Sequence, residues 1–269
     1  MMKSKIVGFT LLAMFLFPAA FQLKAEGISV DAGLTPAQDR IIVRLQYRNL
    51  IRTMDGNELV VHMMPLVVAY GLSPDITLMM RNGYRAVATN ETMMPMENQW
   101  LDPFLMGKVK LFRRNTRTST LGLAGFAGTS FPVLGSSISN SYSPVLGVNA
   151  SYRVGYWSFD LNNAFEWVGY IAAEKQAEDK QYQLNLAISR NFFLKKFDDL
   201  VFAPVQEFSF VRSRPETSGA QSFGFVSPGF QIVSPHIKFE ALYQIPVNPS
   251  GAAGLKNGGR FILGMRFMF

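Results

Sequence analysis

Arg260-Phe261-Ile262-Leu263-Gly264-Met265-Arg266-Phe267-Met268-Phe269, the last ten residues, alternate in character at every second position. Phe261, Leu263, Met265, Phe267 and Phe269 share one face of an extended strand. Arg260, Ile262, Gly264, Arg266 and Met268 share the other. Five large apolar side chains on one side and two arginines on the other suit a wall between an apolar solvent and a polar interior. The competing reading is an amphipathic edge strand of a soluble sandwich, but termini there fray and are mostly polar.

The stretch resembles the C-terminal assembly signal of bacterial outer-membrane barrels, with Phe267 and Phe269 as its apolar marks. That resemblance implies contact with the barrel-assembly machinery. Ile262 departs from it, standing where such signals more often carry a polar residue.

At the other end, residues 1–25 have the build of a secretory signal peptide. Lys3 and Lys5 precede an apolar run over 6–17, broken only by Gly8 and Thr10, and Pro18 follows. Cleavage is expected after Ala25, with Ala20 as the alternative. Residues 26–38 read as a periplasmic leader and 39–269 as one barrel. The chain has no cysteine, which excludes a lipoprotein anchor and a disulfide framework. No apolar run of spanning-helix length follows the signal. With 23 phenylalanines and 17% charged residues, the composition suits a barrel whose outer belt faces lipid. The net charge of +7 falls to +4 once the signal's Lys3, Lys5 and Lys24 are removed. Basic residues alternate with apolar ones instead of clustering with loop aromatics, so nucleic acid is not an expected partner.

Alternation and turn chemistry predict twelve antiparallel strands, over 40–51, 59–72, 76–88, 104–113, 119–134, 145–154, 157–167, 182–189, 200–212, 222–233, 237–245 and 260–269. Asp55-Gly56 is a tight-hairpin signal. Pro65 predicts a bulge or a locally open ladder in the second strand. Gly122, Gly125 and Gly128 predict a bend or close strand packing, because no helix follows to make them a phosphate loop. The even-numbered connections are short and the odd-numbered ones mostly long. An even strand count with short periplasmic turns and long outer loops is the pattern of bacterial outer-membrane barrels. Lipid-exposed backbone must be fully paired, so such strands have to close on themselves.

The alternation also names the inward residues. Strand one supplies Arg40, Arg44 and Arg48, and its closing neighbour supplies Arg260 and Arg266. Strands three and four add Arg81, Arg85, Lys108 and Lys110. Asp160 and Glu166 are expected across the barrel, with Lys238 and Glu240 as further partners. A basic wall facing a smaller acidic one produces a transverse field in a narrow lumen. Two readings stay open: a channel lined by these residues, or an interior sealed by their salt bridges. Catalytic signals are thin. His62 has no serine or acid at useful spacing, and His236 falls in a periplasmic turn. The His-x-Ser-Asn-Gly run of twelve-stranded phospholipases is absent, and no enzyme, metal or cofactor is expected. Met93-Met94-Pro95-Met96 reads as loop rather than a thioether copper site.

The mature chain resembles the outer-membrane proteins named for the meta-pathway of phenol degradation. The resemblance rests on Ala32-Gly33-Leu34-Thr35-Pro36 before an arginine-rich strand and on Tyr70-Gly71-Leu72-Ser73-Pro74-Asp75-Ile76-Thr77-Leu78. It rests also on Ser234-Pro235-His236-Ile237-Lys238-Phe239-Glu240 with Gln244-Ile245-Pro246-Val247. It implies a barrel transporter for small, often aromatic, molecules. The expectation is an all-β transmembrane barrel in the bacterial outer membrane that passes a small-molecule solute, anionic or aromatic, with membrane lipid around it. The alternatives are a sealed surface-interaction barrel and, behind it, a lipid hydrolase.

Overall fold

The computed structural model describes residues 28–29, 31–54, 57–89, 99–132, 141–168, 171–172, 179–194, 200–214, 220–247 and 256–269. The stretch expected to be a signal peptide and the Met93–Met96 run lie outside the described residues. The described chain forms twelve long strands: β1 (Ile41–Met54), β2 (Asn57–Gly71), β3 (Ile76–Thr89), β4 (Phe104–Asn115), β5 (Ser119–Ser130) and β6 (Ser141–Val154). The second half comprises β7 (Trp157–Val168), β8 (Asp179–Arg190), β9 (Val201–Arg214), β10 (Gln221–Val233), β11 (Ile237–Pro246) and β12 (Lys256–Met268). Each pairs antiparallel with its sequence neighbours, including β8 with β9, and β1 pairs with β12, so the sheet closes with no free edge. At the seam Phe269 donates its amide to the Ile41 carbonyl at 2.9 Å, and the Ile41 amide returns the bond.

The side-chain distribution inverts that of a soluble protein. Leu45, Leu78, Leu105, Leu146, Leu161, Phe208, Phe239, Tyr243, Phe261 and Leu263 are exposed on the outside. At odd spacings along the same strands, Gln46, Thr77, Lys108, Asn149, Asp160, Glu207, Glu240 and Ile262 are buried within. An apolar surface of that extent is not stable in water. Closed backbone pairing, an apolar belt and a polar interior make this a bacterial outer-membrane barrel. Aromatic pairs stand near strand ends, Tyr84 with Trp100 and Phe165 with Trp167, where ring edges meet headgroups.

Local irregularities have local causes. Opposite Pro65, which lacks an N–H, the β1–β2 ladder opens at Gln46 and Tyr47 and resumes in the same register. Gly155, at φ 52°, makes the two-residue turn between β6 and β7. A bulge between Lys110 and Phe112 in β4 leaves Leu111 and Phe112 both outside. It turns Arg113 into the lumen, where alternation alone would not have put it. The expected fifth strand is shorter, ending at Ser130.

Residues 26–38 were expected to lie as a leader in the periplasm. The described part of this stretch instead enters the barrel: Ile28 is wholly buried and Ala32 nearly so. Ile28 packs with Val205, Leu242 and Ile262 on the inner wall. That contact explains Ile262. An isoleucine faces the interior because an apolar leader residue covers it.

Candidate functional site: the lumen

The site is the inner face of the barrel together with the leader threaded into it. Every second residue of each strand points inward, so lumen chemistry follows strand register. The leader is held from four sides. Glu207 of β9 accepts the backbone amides of Ile28 and Ser29 and the Ser29 hydroxyl. Gln46 of β1 donates to the Ile28 carbonyl at 3.2 Å. Lys108 of β4 donates to the Ala32 carbonyl at 3.0 Å and reaches Asp31 at 3.5 Å. On β6, Asn149 donates to Asp31 at 2.9 Å, and Ser151 Oγ accepts the Gly33 amide at 2.7 Å.

Two glycines make this docking possible. A Cβ on Gly33 would stand 2.7 Å from the Asn149 carbonyl oxygen, and one on Gly122 would stand 2.6 Å from Leu34. The glycines of β5 are thus clearance for the leader and for neighbouring strands; Gly128 likewise lies against Phe104 and β4.

Within the wall, charges pair along strand rungs. Arg44 Nε donates to Glu240 at 2.7 Å, Arg266 approaches the same carboxylate at 3.5 Å, and Gln46 donates to it at 2.7 Å. Arg153 donates to both oxygens of Asp160, at 2.7 and 2.9 Å, and Ser151 also donates to that carboxylate. Next to this pair, Asn149, Asn162 and Asn185 form a hydrogen-bonded amide ladder across β6, β7 and β8.

A cavity of about 1020 Å³ lies within the lumen. Of the expected pore-lining residues, Arg40, Arg44, Arg48, Arg81, Lys108, Lys110, Glu166, Lys238 and Arg266 line it. Asp160 and Glu240 stand behind it, buried in the pairs just described. Arg85 and Arg260 face inward but outside its lining; Arg260 stacks over Phe225 at 4.1 Å. Lys110 is drawn to Asp75 at the β2–β3 turn. The expected acidic wall is therefore smaller than the pattern suggested. Of Asp160 and Glu166, only Glu166 reaches the cavity, because Asp160 is neutralised by Arg153 on the adjacent strand.

Sequence reasoning missed Glu207 and the leader. The faces of β9 look mixed because Val201, Ala203 and Val205 are inward and apolar below Glu207, with Phe202, Phe208 and Phe210 outside. The signal was there in the phenylalanine spacing. His62 lies on the lipid side, its Nδ1 2.7 Å from the Tyr47 hydroxyl.

This geometry has solved counterparts. An outer membrane channel from Pseudomonas putida F1 matches over 91% of this chain and 100% of its own, with a TM-score of 0.57 at 14% identity. The NanC porin matches over 83% and 98%, with a TM-score of 0.52 at 13% identity. The beta domain of the Bordetella autotransporter BrkA matches over 87% and 100%, at 0.53 and 12%. No family model and no curated sequence matches. The shared property is the barrel fold.

Proposed function

We propose that the barrel is a passive, non-enzymatic channel for small molecules with a preference for anions. The observation that carries this reading is a lumen cavity with a cationic lining. Its lining begins with Phe269, Ile41 and Pro235 at the end where β1 and β12 meet, and on β1 to β3 extends to Arg48, Met63 and Asn82, about mid-strand. Along that path the wall of β1 to β4 presents Arg40, Arg48, Arg81 and Arg113, while Asp160 and Glu240 are held in ion pairs. A cationic wall in a narrow pore concentrates anions. The resemblance to the phenol meta-pathway outer-membrane proteins supports passage of small molecules, and Phe267 and Phe269 are proposed to contact the assembly machinery.

The docked leader favours a second reading, a barrel sealed from within. Planar-bilayer recording separates the two. A channel gives discrete conductance steps, and under a KCl gradient its reversal potential moves toward that of chloride. Absence of conductance above background would leave the sealed barrel, and a shift toward the potassium potential would remove the anion preference.

A further inference from the structure

The lumen face of β1 to β3 carries four arginines at the corners of a rectangle. Register sets Arg44, Val67 and Arg81 on one rung and Arg48, Met63 and Arg85 on another. Four residues along a strand span about 13 Å, and two strands across span about 10 Å. Between the corners the wall is apolar: Met63, Pro65 and Val67 on β2, continued by Phe104 and Met106 on β4, all bordering the cavity.

Three of the four cations have incomplete acceptor sets. Arg44 gives Nε to Glu240, but its Nη2 is buried with no hydrogen-bond partner among the described residues. Arg85 Nε is in the same condition. Arg48 turns Nε and Nη2 onto the single neutral oxygen of Gln46, at 3.1 and 2.7 Å. Arg81 lies over the Phe104 ring at 4.7 Å, and Glu166 is close enough to act on its charge. Buried donors without acceptors are costly, and a guanidinium fork matches the two oxygens of a carboxylate. A carboxylate also outcompetes the Gln46 amide oxygen, because bonds to an ionised acceptor are roughly twice as strong as neutral ones.

We infer that this face binds amphipathic carboxylates. The carboxylate sits between Arg48 and Arg81, and a compact apolar body lies over Met63, Pro65 and Val67 against Phe104. A small inorganic anion would satisfy the charges and leave the floor wet. A neutral apolar molecule would leave the forks unpaired. The inference rests on the channel reading for how the ligand arrives, but not for the site itself.

The test is equilibrium binding to the full barrel in detergent, with benzoate as probe and acetate, inorganic phosphate and benzyl alcohol as comparisons. Benzoate should bind saturably, at least tenfold tighter than any of the three. Arg48→Gln and Arg81→Gln should each weaken it tenfold or more, in barrels whose folding is verified by heat-modifiable electrophoretic mobility. Met63→Gln, which keeps every charge, should weaken benzoate while leaving acetate unchanged; this variant carries the test if an arginine variant does not fold. Benzoate binding no tighter than acetate or benzyl alcohol would overturn the site, as would full-affinity binding by folded arginine variants. Binding without conductance keeps the site and removes the channel. Conductance without binding does the reverse.

Discussion

Replacing Glu207 by glutamine should loosen the leader by a measurable amount. The wholly buried carboxylate accepts from the Ile28 amide, from the Ser29 amide at 3.0 and 3.2 Å, and from the Ser29 hydroxyl. A hydrogen bond to an ionised group contributes about 1.5–3 kcal/mol, against about 0.5–1.5 kcal/mol for a neutral pair. Glutamine keeps one acceptor oxygen and places a donor where the other stood, so charge assistance is lost and a donor is orphaned. A net loss of about 1.4–2.8 kcal/mol corresponds to a rise of about 10–100-fold in the released fraction. Gln46, Lys108, Asn149 and Ser151 still hold the segment, so most molecules stay docked. The native chain has no cysteine, and Ala32, 7% exposed, is a clean reporter once changed to Cys. With redocking fast relative to labelling, the rate of modification by a membrane-impermeant maleimide follows the released fraction. Glu207→Gln should raise that rate about 10–100-fold over the Ala32→Cys parent. Equal rates in two folded barrels would refute the latch.

Gly122→Val should act in the same direction through sterics, since its new Cβ meets Leu34 and the Gly33 carbonyl; labelling of Ala32→Cys should rise, and an unchanged rate would show that the leader adjusts around it. Asp160→Asn strips the charge from the partner of the fully buried Arg153, so the barrel should lose about 3–5 kcal/mol, read from the urea midpoint in lipid vesicles; an unshifted midpoint would show the pair is energetically neutral. Deleting Phe269 removes the paired backbone bonds to Ile41 at the seam and should lower the heat-modifiable folded fraction in cells. A normal folded fraction would take Phe269 out of assembly.

The barrel was legible because period-two alternation is a local signal that twelve strands repeat independently. Strand seven shows it plainly, with Ser158, Asp160 and Asn162 inward between outward Trp157 and Leu161. Errors arose where one extra residue or one distant contact decides the outcome. The β4 bulge moved Arg113 inward and Phe112 outward, and nothing in the pattern marks a bulge of that kind. The partners of the lumen charges were less legible. Alternation says that Asp160 faces inward, but only register says that Arg153 lies on the adjacent rung and takes both carboxylate oxygens. The leader was the least legible part, because a short polar segment looks the same whether water or a barrel wall surrounds it. Ile262 was the clue, an apolar residue between the inward arginines Arg260 and Arg266.

The leader's attachments also constrain the order in which this molecule can be built. Ile28 meets Glu207 from 179 positions away, and Gly33 meets Ser151 from 118 away. The segment therefore cannot make its Glu207 contacts until the ninth strand is in place. Its docking is completed only by contacts of high sequence separation, the kind that are slow to form.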